Sequence, residues 1–186
     1  MDRDVLQVLT EDHAVLGWLA ERLEGARPGR ARLVLFNEFV RALGAHQTVI
    51  GQTVLPALKE CGWRGITSDV LRGHMALKRL LAEALIQERE PTGFDEVLNR
   101  LAQQVKAHCE LEQRKLMPVL LRCFDDEQRA LMALDAEQHL TRLLGETLPK
   151  VHEDGDLGPN AEDLVEEAYV VLGSLSGVGA PPLVRH

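Results

Sequence analysis

The chain is poor in aromatic residues: of its 186 residues, four are Phe, two Trp and one Tyr, 4% in all. That scarcity, beside an abundance of Leu, Ala, Glu, Arg and Gln, disfavours a β-sandwich or barrel and favours helices. Cysteine is also scarce. Cys61, Cys109 and Cys123 are odd in number and contain no Cys-x-x-Cys, so neither a disulfide framework nor a thiolate zinc site is indicated, and all three read as reduced thiols. No run approaches the roughly 20 apolar residues that cross a bilayer, and Met1-Asp2-Arg3-Asp4 lacks the basic start and apolar stretch of a signal peptide. A cytoplasmic protein that does not touch a membrane is expected. Basic charge is in deficit as well: 21 Lys and Arg face 29 Asp and Glu, a net charge of −8. A field of that sign repels phosphate backbones, so nucleic acid is not an expected partner. Gly-rich phosphate loops, a Gly-x-Ser-x-Gly elbow and basic stripes with interleaved aromatics are missing too, which leaves kinase, hydrolase and nucleic-acid readings without support.

What the chain does have is helical period. Breakers at residues 25–29, 61–65, 90–93 and 153–160 separate long segments in which apolar residues recur every three or four positions. The first stripe is Leu6, Leu9, His13, Leu16, Ala20, Leu23; the second Phe36, Phe39, Leu43, His46, Ile50, Thr53, Ala57. The third is Val70, His74, Leu77, Leu81, Ala84, and the fourth Leu98, Leu101, Val105, His108, Glu112, Leu116, Val119. Four long helices joined by short loops pack beside their neighbours in alternating directions. The expected fold is therefore all-α, an antiparallel up-down-up-down four-helix bundle over residues 1–124. Residues 125–186 add one or two C-terminal helices, about 125–150 and 161–175, within the same domain.

A histidine sits inside each of the four apolar stripes. Residues equidistant from a turn lie at one height in an antiparallel pair, because each residue climbs about 1.5 Å on one helix and descends as much on the other. The midpoint of His13 and His46 falls in the first loop, that of His74 and His108 at Pro91, and that of His46 and His74 at the edge of the second loop. All four should therefore meet at one level. The spacing also repeats: 33 residues separate His13 from His46 and 34 separate His74 from His108, while Pro56 and Pro118 each follow a core histidine by ten residues. Two related helical hairpins are implied, with each proline kinking or ending its helix. Glu112 lies one turn from His108 on the same face. A buried carboxylate is costly unless paired or bound to metal, and a divalent cation would satisfy it together with the four imidazoles. Imidazole suits iron, zinc, copper or nickel, and bundle cores of helical His and Glu host carboxylate-bridged metal sites.

This pattern resembles the hemerythrin-like family, the HHE cation-binding domain, over about residues 4–122. The resemblance rests on Asp12-His13, on His46 ten residues before Pro56, on His74, and on His108-x-x-x-Glu112 ten residues before Pro118. It implies a non-haem di-iron centre with His13, His46, His74 and His108 as terminal ligands and Glu112 as a bridge. It also implies binding or sensing of dioxygen or nitric oxide, or iron handling. The family usually carries a second His-x-x-x-Glu, and here Ile50 stands where that Glu would be. The loss of a charge and an oxygen ligand should weaken retention of a second ion. One metal instead of two, a solvent or exogenous bridge, or a nearby group such as Glu11, Asp12 or Gln47 could compensate, although those three lie off the core stripe. A catalytic role in peroxide removal or iron-centre repair forms a second class. A third is a metal-free or degenerate bundle that binds partners or forms a homodimer through Leu164, Val165, Ala168, Tyr169, Val171, Leu172 and Leu175. Cys109 should face sideways from the core. His139, His152 and His186 are expected to be exposed or incidental, and the acidic groups Asp125-Asp126-Glu127 and Glu162-Asp163 are expected to favour helix N-termini.

Overall fold

A computed structural model of the chain describes residues 3–87 and 91–145. Among these residues every regular element is helical. Helix α1 spans Val5–Gly25. Helix α2 runs in three consecutive pieces, Arg30–Val49, a π-helical turn Ile50–Val54, and Leu55–Glu60. Helix α3 spans Arg64–Gln87. Helix α4 repeats the tripartite build, Pro91–Leu111, a π-helical turn Glu112–Leu116, and Met117–Cys123. Helix α5 spans Asp126–Leu144. No helix among the described residues is long and apolar enough to cross a membrane.

Local chemistry accounts for the boundaries. Asp4 caps α1 and Asp125 caps α5, each through a capping box completed by a glutamine three residues on, Gln7 and Gln128. Helix α4 starts at Pro91, where a missing N–H costs nothing. Gly65 and Gly93, expected in loops, lie instead in the first turns of α3 and α4. The turn between α2 and α3 is reduced to residues 61–63 and passes through Gly62 at φ 85°, a conformation that favours glycine.

The prolines neither end nor break their helices. Each follows a π-helical turn in which the chain bonds five residues back, Leu55 N–H to Ile50 C=O and Met117 N–H to Glu112 C=O. The widened turn absorbs the bond and the space that proline removes, so α-helix resumes around Pro56 and Pro118. It also shifts the buried face of the last helical piece by about one residue. Beyond Thr53 the buried positions of α2 are Val54, Leu55 and Leu58, while Ala57, expected inside, is half-buried.

Helix α1 packs on α2 and α4, α3 packs on α4, and the last piece of α2 reaches α3, which closes a ring of four. Ion pairs report the directions: Arg100 with Glu83 near one end of α3 and α4, and Lys115 with Asp69 4.0 Å away at the other, make that pair antiparallel. Helix α5 lies against α1 and α2, brought close by Ala133 and Ala136 and tied down by Arg129, whose Nε donates to Asp4 at 2.8 Å. It ends at Leu144, and the expected continuation to residue 150, the 161–175 helix, His152, His186 and Glu162-Asp163 lie outside the described residues.

The core has two apolar parts. One gathers Leu16, Leu23, Phe36, Phe39, Leu43, Leu77, Leu81, Phe94, Leu98 and Leu101, with Phe36 and Phe94 edge to face at 5.3 Å. The other gathers Val5, Leu9, Ile50, Val54, Leu58, Val70, Leu116, Leu120, Ala133 and Ala136. The four histidines and Glu112 form a polar layer between them.

Candidate metal centre

His13, His46, His74, His108 and Glu112 all lie buried in this layer, His46 and Glu112 with no exposed surface. The expected convergence is therefore present: one histidine from each of α1 to α4, at the height the turns dictate. Neighbouring rings stand 5.2 Å apart for His13 and His46, 4.8 Å for His74 and His108, and 5.5 Å for His46 and His108. Glu112 is the first residue of the π-helical turn on α4, a kind of irregularity frequent at functional sites.

Glu112 is placed among all four imidazoles. Its Oε2 accepts from His13 Nε2 at 3.0 Å and lies 3.5 Å from His46 Nε2. Its Oε1 lies 3.1 Å from His108 Nε2 and 3.7 Å from His74 Nε2. Neither contact of Oε1 makes a hydrogen bond: the first is misaligned and the second too long, so Oε1 and His74 Nε2 are buried without a partner. His46 Nε2 and His108 Nε2 face each other at 3.4 Å. Ligand atoms of His46, His74, His108 and Glu112 all lie within 4.8 Å of one another, close enough to share one cation. Unpartnered buried acceptors on imidazole and carboxylate are the donor set that a borderline divalent metal takes.

Asp12 and Gln47 depart from the expectation that they lie off the core. Both are buried, and Asp12 accepts a hydrogen bond from His46 Nδ1 at 2.7 Å. This bond fixes the His46 tautomer and aims Nε2 at the cluster, the role carboxylates play behind metal-binding histidines. The signal was in α1's own pattern. Val5, Val8, Leu9, Asp12, His13, Leu16, Leu19, Ala20 and Leu23 form a buried stripe two columns wide, because α5 covers a second side of α1. Gln47 leaves Nε2 without a partner, and Glu11 is exposed and paired with Arg3. A groove of about 520 Å³ between α1, α2 and α5 has Asp12, Val15, Ala42 and Leu140 in its wall, together with Arg3 and its partners Glu11 and Glu137.

Charge in the layer is uneven. Burial alone would lower His46, but the charge of Glu112 with the hydrogen bond and charge of Asp12 carry it up to about 9. Burial pushes His74 down to about 4, with the neighbouring His46 and His108 adding to the effect. Burial would raise Glu112, yet His46 above all, with His108 and His13, holds it well below the ordinary carboxylate value. Without a metal, the cluster is a carboxylate beside a protonated His46 and a neutral His74. Cys109, expected to face sideways, is buried in the apolar core, where burial and the charges of Glu112 and Asp12 push its thiol up to about 12 and keep it unreactive. His139 is half-buried on α5, 3.7 Å from Asp135, whose other oxygen accepts from Thr53 at 2.6 Å. Asp125 and Asp126 serve the start of α5 as expected.

The helical bundle encloses four histidines and a glutamate between two apolar plugs, and its fold is that of a solved hemerythrin-like protein. No family model and no curated protein matches the sequence. Among solved structures, the chain is similar to a hemerythrin HHE cation-binding domain-containing protein of Mycobacterium kansasii, with a TM-score of 0.71 and 21% identity, over 89% of this chain and 99% of that one.

Proposed function

We propose that this protein binds one divalent cation tightly in the bundle core, iron by the family resemblance, and presents it to a small ligand such as dioxygen or nitric oxide. The observation that carries the reading is the set of buried ligand atoms of His46, His74, His108 and Glu112 within 4.8 Å of one another, two of which have no partner. The description of the Mycobacterium kansasii protein as a cation-binding domain supports it.

Charge balance favours one ion. Glu112 and Asp12 together neutralise a single divalent cation, whereas a second would leave an excess of two positive charges in a dry layer, a cost of several kcal/mol unless an anion enters with it. Ile50, fully buried on α2 at the matching place to Glu112, supplies no compensating oxygen. His13, on the other Glu112 oxygen, then orients the carboxylate and is the remaining ligand available to a second ion. The bound metal would supply an open coordination position for the small ligand, and the apolar plugs on either side exclude competing water.

The test is elemental analysis of untagged protein loaded with ferrous iron without oxygen, followed by absorption spectra with air or nitric oxide. About one iron per chain and a new absorption band on ligand addition are expected. Two irons per chain would overturn the one-ion reading, and no bound metal would overturn the metal reading and leave a bundle that serves by packing or partner contact.

A further inference from the structure

Helix α3 contains a glycine in mid-helix, Gly73, directly before His74. Glycine is a poor helix former in a helix interior, so local helix propensity does not explain it. Its surroundings do. A Cβ on Gly73 would stand 2.6 Å from Nδ1, 3.3 Å from Cε1 and 3.7 Å from Cγ of His108. Real side chains do not tolerate the first of these distances, and the obstacle is a rigid buried ring rather than the tip of a flexible chain. By contrast, a Cβ on Gly17, also inside a helix, would meet nothing within 4 Å.

The His108 ring is thus held on two sides. One edge faces the cluster, with Nε2 3.1 Å from Glu112 and 3.4 Å from His46. The other rests against the α3 backbone at Gly73. We propose that Gly73 is a positioning residue for the metal ligand His108: the missing side chain is the space that lets the imidazole reach the cluster while His74, next along α3, reaches it too. This rests on the metal-binding reading above. An alanine would turn the ring or push α3 from α4, and either movement takes Nε2 away from its partners. Because α3 and α4 pack closely along much of their length, the ring has to give before the helices do.

The experiment compares Gly73→Ala with Gly17→Ala, each alone and each combined with His108→Ala. Cobalt(II) is the metal probe, its affinity measured by competition with a chelating dye and its coordination by visible absorption. In metal-free protein Gly17→Ala should raise the melting temperature by about 2–4 °C in either background, as an unobstructed glycine-to-alanine change in a helix does. Gly73→Ala should lower it when His108 is present and raise it like Gly17→Ala when His108 is alanine. Gly73→Ala should also weaken cobalt about tenfold or more and alter its spectrum, with Gly17→Ala binding as wild type. Equal effects of Gly73→Ala in both backgrounds, or wild-type cobalt affinity and spectrum in that variant, would overturn the proposal. A wild-type protein that takes up no cobalt would overturn the metal reading instead, and the melting temperatures of the four metal-free variants still decide whether Gly73 places the ring. If Gly73→Ala fails to fold while Gly73→Ala with His108→Ala folds, the clash is demonstrated directly.

Discussion

Restoring the carboxylate that Ile50 replaces puts the one-ion reading under the most direct strain. Ile50 is fully buried, four residues after His46 and at the first position of a π-helical turn, the place Glu112 holds on α4. Ile50→Glu removes an apolar side chain whose burial contributes about 2–3 kcal/mol. It adds a carboxylate whose burial costs several kcal/mol more unless paired. His46, protonated up to about pH 9, is one turn away and returns part of that cost. The balance is a metal-free variant about 3–5 kcal/mol less stable than wild type, which for a chain of this size lowers the melting temperature by roughly 6–20 °C. Metal recovers much of this loss. A second cation present at a hundred times its dissociation constant adds about 2.7 kcal/mol, so iron should raise the melting temperature of Ile50→Glu more than that of wild type. Calorimetry with and without ferrous iron, together with elemental analysis, reads both quantities. The variant should go from one ion to two. A variant that still takes one, or that is as stable as wild type without metal, refutes the reasoning.

Two further outcomes come from the same layer. Asp12→Asn keeps the size of the side chain but weakens its hold on His46 Nδ1, and should reduce metal affinity about 10- to 100-fold with an unchanged helical circular-dichroism spectrum; wild-type affinity would remove Asp12 from the site. Above about pH 6.5, pH acts with opposite signs on metal binding and on the metal-free fold. Binding must displace the His46 proton, so affinity should rise about tenfold per pH unit up to about pH 9, measured by competition at fixed ionic strength. In the metal-free protein, His74 stays neutral down to about pH 4 while the unfolded chain protonates near 6.5, so stability falls as pH drops through that interval, and Glu112 adds to the loss below its ordinary value. His46 stabilises fully below pH 6.5 and loses that contribution as pH rises to about 9. Thermal melts should therefore peak near pH 6.5, and a melting temperature that climbs steadily to pH 9 would contradict the assigned protonation of His46.

The residue pattern alone determined the class of fold and the members of the polar layer. A spacing of three and four puts His13, His46, His74 and His108 on the same faces as Leu16, Leu43, Leu77 and Leu101, and short turns force those faces together, so helical period and loop length suffice to bring the histidines to one height. Glu112 follows from the same period. Only the tertiary structure decided what surrounds them. Asp12 is buried because α5 covers a second side of α1, and a contact from a helix so far along the chain leaves no trace in the period of α1 beyond its width. The π-helical turns at Ile50–Val54 and Glu112–Leu116 depend on a balance between a proline and the packing of a continuing helix, so the prolines predict a disturbance but not that the helix survives it. Gly73 acquires meaning from a ring 35 residues further on, since an empty space has no residue type of its own until two helices are pressed together. Periodicity is a property of one helix and can be read along the chain; orientation, protonation and room at the site are properties of several helices at once, and exist only where they meet.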